Sequence, residues 1–393
     1  MHSFQQPATM LPLTVPWLEH ELSRYRHVSE YPGLLEVAWS IAERDGMSER
    51  LGSIISFVLG CQGEHGARSL HLQQCAMRFP ANTKLLLEAT QAAVDSGEHL
   101  WGQSGAALLA SKLHELEDHD LRSLWNVAAR VGAHAVAAAA YAAAADKPTA
   151  LMKRFQAAEA LSHDPAILAV RVLSLGGNSL PWQVCNRWGL RNAGSLTECQ
   201  TPFDLAFCSA AGAARLLQDG LEWLIEEVVL KQVNGPGGLL RPANPRYDFT
   251  FPFESGVFWT EDNFRRLRER YAPKIASLSY ALQQAPSVFV YYSQHEENLS
   301  ALADALVGAV KHSSWRLVVL DGFEGVRRLT VRHPNITIQK LGLPRETYRW
   351  DFPNCYETEE GIAFEKRVVE PVAAAARAVH AALPAQSGAG AKT

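Results

Sequence analysis

Six cysteines in 393 residues, at positions 61, 75, 185, 199, 208 and 355, form no Cys-x-x-Cys pair and no His/Cys metal spacing. A zinc module or a disulfide framework is therefore not expected, and thiols scattered this thinly suit a reducing compartment. Long apolar runs are also lacking. The most uniform, the alanine-rich stretch 133–145, is too short and too weakly apolar to cross a bilayer, which takes about 20 residues. The first residues, "MHSFQQPATMLPLTVPWLEHELSRYRH", lack the basic start and apolar centre of a signal peptide, so the expected location is cytoplasmic, with no membrane span. A basic excess is missing too. The net charge of −4 offers no field for nucleic acid or anionic lipid. No phosphate loop and no Gly-x-Gly-x-x-Gly is present, so no cofactor is expected.

What is present is a chain of two grammars, long enough for two cores. Residues 1–14 are expected to be a flexible start and 384–393 a frayed tail. Residues 15–168 form the all-α part. "PGLLEVAWSIAERDG", "RLGSIISFVLGCQG" and "NTKLLLEATQAAVDSG" carry apolar residues at three- and four-residue steps and end on glycine. "FQAAEALSHDPA" and "LHLQQCAMRFPAN" resemble the second helix and exit of a tetratricopeptide repeat, which predicts stacked helical hairpins, with a plain bundle as the alternative. Such a module binds a protein partner or packs on its neighbour.

From about residue 169 to 383 the pattern becomes α/β. "AVRVLSLGG", "SVFVYY", "WRLVVLDG" and "NITIQKLG" read as strands, separated by helical stretches at 261–284 and 297–312. "DLAFCSAAGAARLLQDGLEWLIEEVVL" reads as helix, and "PRYDFTFPFESGVFW" as one or two short strands. Valine-rich strands alternating with helices predict a partly parallel sheet with helices on both faces.

The chemical candidates gather after the first of these strands. In "SLGGNSLPWQVCNRWGL", Ser179 follows a glycine turn and opens a helix. There it sees free backbone N–H groups, but a serine needs a general base to become a nucleophile, and a plain N-cap is the alternative. Gly177, Asn178, Phe203 and Arg187 are binding candidates around it. Asp204 either orients a histidine or holds its turn. Cys185 and Cys208 read as core. His295 lies just past a strand's carboxyl end, where ligand sites of α/β sheets gather, beside Glu296 and Glu297. His312 and His333 read as surface residues. Arg327, Arg328 and Arg332 suit a phosphate or a solvated face. The Gly-Asn-Ser turn invites comparison with SGNH-type esterases, but their late Asp-x-x-His segment has no counterpart.

The order strand–"SLGGNS"–helix–"RWGLR", then "PFD", then "FPFESG…FRRLRERYAPKI", then "SVFVYY", resembles a bacterial family of papain-like cysteine peptidases, also described as a domain of unknown function. The resemblance covers residues 171–292 and, more loosely, runs to about 345. The family's first motif usually reads Ser-Leu-Gly-x-Asn-Cys, followed by Pro-Phe-Asp-Trp and an Asn-His-Glu. By that resemblance Ser179 stands at the cysteine position and Phe253 at the histidine position, while Glu254 and Asp204 are kept and Leu205 replaces the tryptophan. A cysteine–histidine pair works by proton exchange between thiol and imidazole, and neither half is present. The resemblance thus implies a degenerate member that binds a protein or glycan without cleaving it. Two alternatives stand beside it. One is an active glycan- or nucleotide-sugar-linked transferase or hydrolase using Ser179, Asp204, Glu254 and His295. The other is a scaffold acting through residues 15–168. A parallel sheet would separate the fold from papain-like topology.

Overall fold

The computed structural model describes residues 13–24, 31–145, 149–191, 201–235, 238–323, 333–342 and 348–383. The expected flexible start, apart from residues 13 and 14, and the expected frayed tail lie outside them. The helical region holds α1 (Val15–Arg24), α2 (Tyr31–Asp45), α3 (Glu49–Cys61), α4 (His65–Arg78) and α5 (Thr83–Asp95). It continues with α6 (His99–Ala110), α7 (Asp118–Arg130), α8 (His134–Ala143), α9 (Thr149–Ser162) and α10 (Pro165–Leu168). Helix starts follow local chemistry. The Ser48 hydroxyl accepts from the N–H of Leu51, and the Asn82 carbonyl accepts from that of Leu85.

Three of the connections share one device. Gly63, Gly97 and Gly132, spaced 34 and 35 positions apart, take left-handed backbone (φ +73°, +74° and +74°). The N–H of the following residue reaches back five positions, from Glu64 to Leu59, Glu98 to Ala93 and Ala133 to Ala128. This closes each first helix in a Schellman arrangement. Two residues after each glycine comes a histidine, His65, His99 or His134, which opens α4, α6 or α8. Alanines then let the helices approach closely: Ala128, Ala129, Ala137 and Ala140 are completely buried in a core with Leu124 and Trp125.

The α/β region runs β1 (Arg171–Ser174), α11 (Leu180–Arg187), β2 (Phe207–Cys208), α12 (Ala210–Asp219), β3 (Lys231–Asn234), β4 (Leu240–Asn244) and β5 (Phe249–Thr250). It goes on through α13 (Glu261–Gln283), β6 (Ser287–Ser293), α14 (Leu299–Ala309), β7 (Trp315–Asp321), β8 (Ile336–Lys340), α15 (Pro353–Tyr356) and α16 (Glu359–Ala381). Strands β1-β6-β7-β8 form a parallel sheet, with Leu173 opposite Phe289 and Tyr291 opposite Val319. Period-two alternation divides its side chains between two cores. Val172, Val288, Val290, Val318 and Leu320 pack with Val184 of α11 and Phe364, Val368 and Val372 of α16. Leu173, Phe289, Tyr291, Leu317 and Val319 pack with Leu216 of α12, Leu278 of α13 and Leu302 and Leu306 of α14.

The stretch expected as one helix over 204–230 is broken. Cys208 pairs with Phe249 in a second, antiparallel sheet of order β2-β5-β4-β3, and Gly220, at φ +115°, ends α12. Backbone pairing at Phe207 and Cys208 outweighs the helical periodicity there.

The edge of the helical array carrying the glycine turns receives the second region. Ser255 Oγ donates to the Gly63 carbonyl at 3.1 Å, and the Val257 N–H donates to Glu64 at 2.9 Å. Arg270 donates to the Ser96 carbonyl, and Asn186 Nδ2 donates to that of Arg130 at 3.3 Å. Among the described residues no helix is long and apolar enough to cross a membrane.

Candidate functional site at the strand carboxyl ends

The parallel strand β1 ends at Ser174, opposite Val290, and its neighbour β6 runs on to Ser293; the segments leaving them build the site. Gly176 and Gly177 take φ +109° and +79°. At Gly177 a Cβ would stand 1.8 Å from the Tyr292 carbonyl oxygen, so only glycine lets this turn lie against β6. Its N–H donates to the Cys208 carbonyl at 2.9 Å. Asn178 joins the two turns. Its side-chain carbonyl accepts from the Leu180 N–H at 2.9 Å, and its amide donates to Gln294 Oε1 at 3.2 Å.

Ser179 does not act as the side-chain cap of α11. It already has near-helical backbone (φ −78°, ψ 0°), and Asn178, one residue earlier, supplies the acceptor for the helix start. The buried Ser179 hydroxyl oxygen instead accepts from Gln183 Nε2 at 3.2 Å and Trp350 Nε1 at 3.1 Å. Two donors engage the oxygen lone pairs that a nucleophile would use.

The other expected site residues fall into separate networks. Asp204 is buried and fully committed: Thr201 donates through its N–H (2.7 Å) and hydroxyl (3.0 Å), and Arg191 closes an ion pair at 2.8 Å. That is the turn-holding use. Phe203 packs on Phe249 with ring centres 5.6 Å apart. Glu254 has no exposed surface and pairs with Arg270 Nε at 3.3 Å, while Phe253 beside it is half-buried. Arg187 is buried against Glu365 of α16, with its guanidinium 3.9 Å from the centre of the Tyr356 ring. His295 is exposed, and its carbonyl accepts from the Ser293 hydroxyl at 3.3 Å. Its neighbour Glu297 accepts from the Ala210 N–H at 3.0 Å and the Tyr291 hydroxyl at 2.9 Å. Among the described residues no hydrogen bond or ion pair joins Ser179 to Asp204, Glu254 or His295.

Sequence reasoning did not anticipate Gln183, Gln294, Trp350 or His99 near this turn. His99, from the helical region, lies on Trp182 of α11 with ring centres 4.4 Å apart. Both of its ring nitrogens are buried without a hydrogen-bond partner among the described residues. Burial holds it well below the usual histidine value, and the positive charges of Arg130, Lys274, Arg270 and Arg191 add to the effect. The repeated Gly-x-His of the helical region was the sequence signal for it.

The thiols are unsuited to nucleophilic work. Burial pushes Cys185 up to about 12 and Cys208 well above the usual range, so both stay protonated at neutral pH. His312 Nε2 donates to the Ala281 carbonyl (2.9 Å), and His333 stacks on Trp315. Arg327, Arg328, Arg332 and Cys199 lie outside the described residues. No cluster of His, Cys, Asp and Glu able to hold a metal occurs among those described. Comparison of the chain with family models, with curated proteins and with solved structures finds no match.

Proposed function

We propose that the chain is a catalytically degenerate relative of the papain-like cysteine peptidase family, whose α/β region binds a protein or glycan segment at the β1–β6 carboxyl ends without cleaving it. The observation that carries this reading is the state of Ser179. Its oxygen is held by Gln183 and Trp350, and no histidine or carboxylate among the described residues is bonded to it. With Phe253 in place of a histidine, acyl transfer there has neither an activated nucleophile nor a proton acceptor. The family relation is drawn from the motif resemblance, and the parallel sheet departs from papain-like topology. The helical region is proposed to consist of tetratricopeptide-like hairpins, supported by the 34- and 35-residue recurrence of its glycine turns.

The test is ligand-dependent thermal stability of the full chain against peptides, oligosaccharides and nucleotide sugars, with Ser179→Ala and His295→Ala in parallel. The expected result is a ligand that raises the midpoint of the wild type, a smaller rise in Ser179→Ala, and no chemical change in the recovered ligand. Recovery of a cleaved or transferred product, abolished by Ser179→Ala, overturns the reading.

One observation favours the active-enzyme alternative. The His99 ring, whose nitrogens have no hydrogen-bond partner among the described residues, rests on Trp182, one helical turn from Ser179. His99→Ala separates the two readings: an enzyme drawing its base from the helical region loses turnover, whereas a binding module has none to lose.

A further inference from the structure

At the far end of α11 from Ser179, helices α9 and α16 flank an open groove of about 430 Å³. That volume falls within the range of small-molecule sites. Its apolar walls include Trp188 and Ile362, and its charged residues are Lys153, Arg154, Lys366 and Glu359. Lys153 and Lys366 are exposed, Lys366 pairs with Glu370 at 3.7 Å, and Arg154 is buried in the lining.

Arg154 is the unusual member. Its side chain is completely buried, and none of its three guanidinium nitrogens has a hydrogen-bond partner among the described residues. Two carboxylates act on it from a distance, and both have other partners: Glu365 accepts from Arg187, from Trp188 Nε1 at 2.7 Å and from the Tyr348 hydroxyl at 3.3 Å, and Glu357 accepts from Trp125 Nε1 at 3.0 Å. The rings of Phe155 and Tyr356, at 4.8 Å and 5.9 Å, give the guanidinium only partial compensation. A buried cation without acceptors is strongly destabilising, much as a broken internal ion pair is. An anion seated in the groove offsets that destabilisation, and the low dielectric around Arg154 strengthens the attraction. The apolar walls, with the Trp188 ring fixed by its bond to Glu365, call for a hydrophobic body behind the charge.

We infer that this groove is a binding site for a small amphipathic anion, an apolar body bearing one carboxylate or phosphate group. The inference stands apart from the reading of the Ser179 turn, since the two sites share no residue.

Isothermal titration of the full chain with octanoate, octyl phosphate, 1-octanol and inorganic phosphate tests it. Octanoate or octyl phosphate should bind saturably at one site, and the stronger of the two identifies the head group. Octanol and inorganic phosphate, each lacking half of the recognised chemistry, should bind at least about tenfold more weakly. Arg154→Met should weaken the anion by a similar factor. Because that change alters a buried residue, Ala363→Trp provides a second arm that fills the groove from its α16 wall and leaves Arg154 in place. It should abolish binding while the far-ultraviolet circular dichroism stays unchanged. Absence of saturable binding by either anion overturns the inference. So does equal affinity for octanol, or binding that survives Ala363→Trp.

Discussion

A side chain's chemistry is set by its partners, and Arg187 illustrates how far away these can be. In sequence it belongs to "RWGLR", next to a candidate site, and invites a binding role. In the fold its charge is spent on Glu365, 178 positions later, and on the face of Tyr356. Both partners come from the C-terminal helices, to which no role was assigned from sequence. Asp204 differs. Its partners Thr201 and Arg191 lie within 13 positions, and its turn-holding use was legible from the local pattern. The Arg187 network predicts a measurable asymmetry. Glu365→Gln keeps an acceptor for Trp188 but strands a buried guanidinium, so urea unfolding should show a loss of about 3–5 kcal/mol. Adding Arg187→Met should recover much of that loss, because the second change removes the uncompensated charge. If the double variant is no more stable than Glu365→Gln, the pair is not the dominant interaction at this position.

At the scale of elements, the parallel strands β1, β6 and β7 were legible because both of their faces are buried, which makes them continuous apolar runs rich in valine. The short antiparallel strands β2 and β5 were not. Two residues are too few to show a period, and β2 forms by pairing with the distant Phe249 and Thr250. Glycine spacing held information that periodicity alone did not use: Gly63, Gly97 and Gly132 mark equivalent turns, and the histidine that follows each begins a helix. These glycines and Gly177 serve different ends, which substitution can separate. Gly97→Ala asks a residue with a Cβ to adopt left-handed backbone and should cost about 1–2 kcal/mol. Gly177→Ala adds a collision with the Tyr292 carbonyl, which belongs to the rigid central strand. It should cost more than about 2 kcal/mol and detach the β1–α11 turn from β6. Denaturant unfolding ranks the two, and a Gly177→Ala variant as stable as Gly97→Ala would contradict the close approach.

For the whole molecule, the turn-bearing edge of the helical array carries His65, His99 and His134 and is where the α/β region docks. His65 is held below the usual histidine value chiefly by burial, with Arg68 adding to it. His99 is held lower still by burial and then by Arg130, Lys274, Arg270 and Arg191. Burial, then Arg154 and His163, bring His134 down to about 4. All three are therefore neutral in the folded chain at pH 7 and bind protons more readily once unfolded. The linkage has one sign. Each contributes stability that is complete above its unfolded value of about 6.5, begins to fall as the pH drops below it, and keeps falling until the folded value is reached. For His134 alone the loss approaches about 3 kcal/mol near pH 4. Because α11 and α13 pack on the same edge through Trp182 and Arg270, acid should release the α/β region and the helices together. Unfolding midpoints measured between pH 7.5 and 4.5 should decline, more steeply below pH 6, as a single transition. His134→Gln should flatten that decline while lowering the midpoint little at pH 7.5. A midpoint independent of pH across this window, or two separate transitions at every pH, would contradict the shared edge.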